Sequence, residues 1–123
     1  MELHSLDFQQ ARIKLVLFKS RLRSVLYGVR EADEELRSVY RTPLGQWLRT
    51  TGARYAIYPE IREIERALEA MIGVGEELIG RFERGYIEEA RAGLSLIEEH
   101  AGQIETLLQR LEGRAGLTGN RLE

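Results

Sequence analysis

The chain has 123 residues, of which 43% are hydrophobic and 31% charged, with a formal net charge of −2 and no cysteine. This composition is typical of one globular domain with a core of its own, and it excludes disulfides, thiolate metal sites and the basic stripe of a nucleic-acid reader. Because no apolar run approaches a transmembrane length and no export signal is visible, we expect a cytoplasmic protein without membrane insertion.

The first predicted helix occupies the N-terminal quarter of the chain. Between Phe8 and Val25 apolar residues recur at steps of three and four, which is one face of an α-helix. Ser5 is a plausible N-cap, and Gly28 is a natural C-terminal stop. We therefore predict a long amphipathic helix between these two residues.

A charged connection and a short helix follow. The charged stretch 29–40 predicts a short exposed helix or a helical connection. Pro43 then opens a short helix through Leu48, since proline is tolerated at a first helical position, and Gly52 is expected to end it. The single tryptophan, Trp47, is predicted to be a core anchor in this short helix.

Two more long helices complete the prediction. One begins at Pro59 and ends at a turn around Gly85, and the last runs over 87–111 and is closed by Gly113. No segment shows the alternating pattern of a strand. We predict an all-α fold, an antiparallel four-helix bundle with a short extra helix between the first and third long segments. The predicted units are an N-terminal tail (1–5), the bundle (6–112) and a flexible C-terminal tail (113–123).

Residues suited to chemistry are few. His4 is expected to be a solvated terminal residue, and His100 lies on the polar side of the last helix. The Glu-x-x-His motif of di-iron bundles is absent, because Ile97 stands three residues before His100. Neighbouring glutamate pairs point about 100° apart on a helix, so they cannot face one substrate together. We expect neither an enzyme nor a cofactor.

Around the tryptophan the sequence reads Leu44-Gly45-Gln46-Trp47-Leu48, followed by Gly52 and Tyr55. This "LGxWL…G…Y" arrangement resembles the chemoreceptor zinc-binding (CZB) domain family. The resemblance also covers the first helix, where an Asp-Phe pair, an alanine and a Phe-Lys pair are matched. The residues that carry the signature are Phe18, Lys19, Leu44, Gly45, Trp47, Gly52 and Tyr55.

The positions where the resemblance implies zinc ligands hold other residues. Leu15 stands at the first histidine position and Thr42 at the cysteine position. The histidine pair of the third helix corresponds to Ala67 and Met71, or one residue later to Leu68 and Ile72. Leucine and alanine offer no donor, and methionine suits zinc poorly. We therefore expect a divergent member in which side-chain packing replaces the metal; ordinary core positions of an unrelated bundle are the alternative.

The resemblance implies a homodimeric regulatory module of bacterial signal transduction, with a chemoreceptor or diguanylate cyclase as partner. We expect a non-enzymatic, metal-independent regulatory or sensory dimer. Its candidate interface is Ile13, Val16 and Leu17, which widen the apolar face of the first helix. One alternative is a small apolar ligand held where the metal was, with Gly73 and Gly75 leaving the space. The other alternative is a purely structural dimerisation or adaptor protein.

Overall fold

The computed structural model describes the backbone of residues 3–121 and the side chains of residues 5–116. The described part contains helices and turns and no strand, which confirms the all-α prediction. The α-helices are α1 (Leu3–Leu26), α2 (Pro43–Arg49), α3 (Glu60–Glu83), α4 (Ile87–Ala92) and α5 (Leu94–Arg121), and two short 3₁₀ helices span Glu34–Leu36 and Thr51–Tyr55.

Helices α1 and α3 run in the same direction. Gly75, in the second half of α3, faces Phe18 and Leu22 of α1. Gly28, just after α1, lies beside Phe82 near the end of α3. The two helices therefore end at the same end of the molecule.

Helix α5 runs in the opposite direction to both. Lys19, late in α1, pairs with Glu98 early in α5, whereas Arg12 pairs with Glu112 much further along α5. Glu60, the first residue of α3, likewise meets the late part of α5. Helices α1 and α3 thus pack parallel to each other, and α5 packs antiparallel to both.

Residues 29–58 carry the chain back from the end of α1 to the start of α3. The first 3₁₀ helix lies near the end of α1, where Glu35 pairs with Arg21. Helix α2 lies near the start of α1, where Trp47 contacts Asp7. This return segment is built from short helices, so the described residues contain three long helical segments rather than four. The predicted short helix at Pro43 is confirmed.

The apolar stripes of all these segments form one core. Its residues follow the three-four spacing predicted for α1, α3 and the last helix. The largest fully buried side chains are Trp47, Phe8, Phe18, Leu15, Leu22, Leu26, Leu36, Leu44, Ile64, Leu68, Met71 and Ile79. The prediction that Trp47 anchors the core is confirmed.

The predicted ends of the first and last helices need correction. Helix α1 begins at Leu3, so Ser5 lies in its first turn and is not the N-cap. The side chain of His4 lies outside the described residues. Helix α5 continues through Gly113 to Arg121, because Ala115 is buried and Arg114 pairs with a glutamate of α3. The division into a bundle and two tails stays a prediction.

Two interior boundaries also differ. Helix α2 ends at Arg49, and Gly52 lies inside the second 3₁₀ helix. The last helix, predicted as continuous, is divided at Gly93, where a Cβ atom would lie 2.2 Å from Cδ2 of Leu78. Leu78 therefore occupies the space that a side chain at position 93 would need.

Candidate functional site

The start of α2 is held by a tight polar turn. The Thr42 hydroxyl accepts a hydrogen bond from the Gly45 amide (3.0 Å) and donates one to the Val39 carbonyl (2.7 Å). A Cβ atom at Gly45 would lie 1.6 Å from the Val39 carbonyl oxygen, so only glycine fits there. Thr42, at the position where the resemblance implies cysteine, is fully buried, and its hydroxyl both caps α2 and closes the turn to Val39.

The remaining signature residues attach the return segment to α1. The Trp47 indole donates to the Asp7 carbonyl (3.0 Å), and the Tyr55 hydroxyl donates to the Asp7 carboxylate (2.7 Å). The Phe8 ring lies between them, with centroids 5.9 Å from Trp47 and 4.9 Å from Tyr55. Gly52 allows the chain to pass close to Trp47, since a Cβ atom at position 52 would lie 3.3 Å from the Trp47 carbonyl oxygen. Trp47 and Tyr55 thus hold the return segment against the start of α1.

Burial raises the pKa of the Tyr55 hydroxyl well above its ordinary value. The hydrogen bond to Asp7 and the negative charge of that carboxylate raise the same pKa further, and the nearby Arg54 guanidinium opposes them. The neutral phenol is therefore the form that the folded protein favours.

At the other three positions where the resemblance implies zinc ligands, the side chains serve packing. Leu15 is 2% exposed and Met71 is fully buried, and both belong to the main apolar cluster. Ala67 is half-buried at the edge of that cluster. In the described part of the chain, no three histidine, aspartate or glutamate side chains are arranged to hold a metal ion.

The two glycines proposed to leave a ligand space beside Met71 do not do so. The Cβ position of Gly75 meets Phe18 and Leu22 at ordinary contact distances of 3.6 and 3.5 Å. Gly73 is exposed, and a Cβ atom there would meet nothing within 4 Å. One glycine thus faces a filled core and the other faces outward.

The candidate dimer surface on α1 is apolar and exposed. Ile13 is 67% and Val16 is 58% exposed, whereas Leu17 is half-buried. Leu6 lies seven residues, about two helical turns, before Ile13; it is 41% exposed and extends the same face. This seven-residue spacing is the sequence signal that could have identified Leu6. We call Leu6, Ile13 and Val16 the α1 stripe.

Ion pairs join α1 to α5 beside this stripe. Arg12 donates to Glu105 (3.0 Å) and Glu112 (2.7 Å), and Lys19 lies 3.4 Å from Glu98. Lys19 thus links two helices, while its signature neighbour Phe18 is buried in the core. Ion pairs as well as packing therefore join α1 to α5.

The seam between α3 and α5 carries a surface groove. The groove has a volume of about 690 Å³, and Ala67, one of the positions where the resemblance implies a zinc ligand, is part of its lining. His100 also lines this groove, and its Nδ1 atom is buried without a hydrogen-bond partner among the described residues. The groove was not predicted. We call its lining the α3–α5 groove: Glu63, Arg66, Ala67, Ala70, His100, Gly102, Gln103, Thr106, Leu107 and Arg110.

A buried carboxylate lies where α3 begins. Glu60 is 4% exposed; its Oε2 atom is 2.8 Å from the Arg114 guanidinium, and its Oε1 atom has no partner among the described residues. A negative charge suits the N-terminus of a helix. This pair joins the start of α3 to the late part of α5. It was not predicted from the sequence.

Comparison with protein-family models, with curated proteins and with solved structures finds no significant match. Within residues 3–121 no helix has the length and hydropathy needed to cross a membrane.

Proposed function

We propose that the chain is a non-enzymatic, metal-independent regulatory module of bacterial signal transduction that works as a cytoplasmic homodimer. Its partner in this proposal is a chemoreceptor or a diguanylate cyclase. The observation that carries the proposal is the α1 stripe, because exposed aliphatic side chains in one row are unusual on a monomer.

The CZB-like part of the proposal draws support from the signature residues. Trp47 and Tyr55 dock the return segment on α1, and Gly45 permits the tight turn before α2, so the signature residues have structural roles in this chain. In the proposal, residues 29–58 take the place of the second helix of an antiparallel four-helix bundle. Leu15 and Met71 then fill with apolar volume the region where relatives hold zinc. Burial of each side chain contributes roughly 1.5–3 kcal/mol to folding.

A two-fold axis fits the position of the stripe. From Leu6 to Val16 the stripe is about 15 Å long, at 1.5 Å per helical residue. If two α1 helices pair antiparallel about an axis midway between Ile13 and Val16, Ile13 of each copy meets Val16 of the other at the centre. Leu6 then lies against the aliphatic stem of Arg23 of the other copy. A symmetric interface of this kind closes as a dimer.

The test is the oligomeric state of a charge-substituted stripe. Wild-type protein is expected to be a dimer by light scattering after size exclusion, and Ile13→Glu with Val16→Glu is expected to give a folded monomer. Ile57→Glu is the matched control, because Ile57 is 85% exposed but lies outside α1. Circular dichroism checks that each variant is folded.

Either of two results would overturn the proposed dimer: a monomeric wild type at high micromolar concentration, or dimers retained by the double variant. Native mass spectrometry of untagged protein tests metal independence in the same samples. A stoichiometric zinc adduct would contradict it.

A further inference from the structure

The α3–α5 groove has a low apolar floor between two helices. Ala67 and Ala70 of α3 form one side of the floor, and Leu107 of α5 forms the other. Along α5 the groove extends from His100 to Arg110, which is about 15 Å at the helical rise. Alanine side chains let the backbone of a third helix approach closely, and this length accommodates nearly three turns.

The charges at the rim of the groove are unpaired. Among residues 5–116, neither Arg66 nor Arg110 nor Glu63 forms an ion pair, although all three line the groove. The α1–α5 seam differs, since Arg12 and Lys19 bridge it. The α3–α5 groove therefore presents an apolar floor flanked by two guanidinium groups and one carboxylate, with a net positive rim.

We propose that this groove binds an amphipathic helix of a partner protein, with small or aliphatic side chains on the floor and acidic side chains beside Arg66 and Arg110. The proposal rests on the proposed regulatory role and specifies the chemistry of the partner. Helix-in-groove recognition uses anchors at helical spacing, and rim charges of opposite sign select the partner.

A second copy of this chain fits the groove poorly. The α1 stripe is its best apolar helix surface, and it is flanked by the cationic side chains Lys14 and Arg23. Like charges placed against Arg66 and Arg110 oppose docking. The sign of the rim charge therefore favours an acidic foreign helix over α1 of another copy.

The experiment uses two synthetic 18-residue helical peptides on the full chain. Both carry the same leucine and alanine stripe; one has glutamates at the flanking positions and its twin has lysines there. Fluorescence anisotropy is expected to show the acidic peptide binding about tenfold more tightly, because two exposed ion pairs together contribute on this order. Amide chemical-shift changes are expected at Ala67, Ala70 and Leu107.

Charge reversal at the rim gives the matched test. Arg110→Glu is expected to remove the preference for the acidic peptide, whereas Arg62→Glu, an exposed α3 position outside the groove, is expected to retain it. Equal affinities for the two peptides, absence of binding, or shifts confined to the α1 stripe would each overturn the proposal. Loss of the wild-type dimer in Ala70→Arg would also overturn it, because the groove would then hold a second copy. The stripe variants test the dimer separately, so failure of the groove proposal can be distinguished from failure of the proposed dimer.

Discussion

Replacement of Gly45 by alanine tests the tight turn that begins α2. The added Cβ atom would lie 1.6 Å from the Val39 carbonyl oxygen, and that atom is backbone, so it cannot swing aside. The two atoms must separate by roughly 1.5 Å or more to reach ordinary contact. Because the same carbonyl accepts the Thr42 hydroxyl, this movement also disturbs the cap of α2.

The magnitude follows from three contributions. Overpacking costs about 1–3 kcal/mol, and loss of the cap costs about 1 kcal/mol. Alanine recovers about 1 kcal/mol through its better helix propensity. We therefore expect Gly45→Ala to lower the free energy of unfolding by about 2 kcal/mol.

Urea unfolding followed by far-ultraviolet circular dichroism measures this change. Gly102→Ala is the matched control, because Gly102 lies in α5 and a Cβ atom there meets nothing within 4 Å. The control is expected to gain about 1 kcal/mol from helix propensity alone. If Gly45→Ala were within about 0.5 kcal/mol of wild type, the argument from close backbone approach would be wrong.

Two further predictions concern the core and the docking of the return segment. Leu15→Ala and Met71→Ala are each expected to lower the free energy of unfolding by about 2–5 kcal/mol in urea, while added zinc leaves the wild-type melting temperature unchanged; a zinc-dependent rise would contradict the packing account. Tyr55 contributes stability that is fully present below the ordinary tyrosine pKa of about 10 and is lost as pH rises towards its raised folded-state pKa, because the unfolded state ionises first. Tyr55→Phe is accordingly expected to flatten the alkaline decline in the free energy of unfolding, measured at several pH values; parallel declines for both proteins would refute the raised folded-state pKa of Tyr55.

The helical elements could be predicted because their signals are local. The three-four spacing predicts α1, α3 and the last helix, and the glycines that end α1 and α3 have positive φ: 75° at Gly28 and 91° at Gly85. Gly113 is also a glycine after a run of helical spacing, yet α5 continues through it. The contacts that prolong α5, at Arg114 and Ala115, come from the rest of the fold and have no local signal.

The candidate surfaces were predicted unevenly for the same reason. Ile13 and Val16 fall off the core stripe of their own helix, so their exposure could be inferred from spacing alone. The α3–α5 groove depends on which faces of two distant segments meet. Ala67 and Ala70 look unremarkable in the sequence, and only the antiparallel packing of α3 and α5 turns them into a floor.

The pairing of α1 with α5 also has a consequence for synthesis on the ribosome. Arg12 finds its partners 93 and 100 residues further along the chain, at Glu105 and Glu112. Until α5 has emerged, the face of α1 that it covers stays open to water and to chaperones. Contacts of such long sequence separation slow folding, because a large loop must close before they form. The nascent chain is therefore expected to remain protease-sensitive until nearly all of its residues are available, and then to close in one cooperative step.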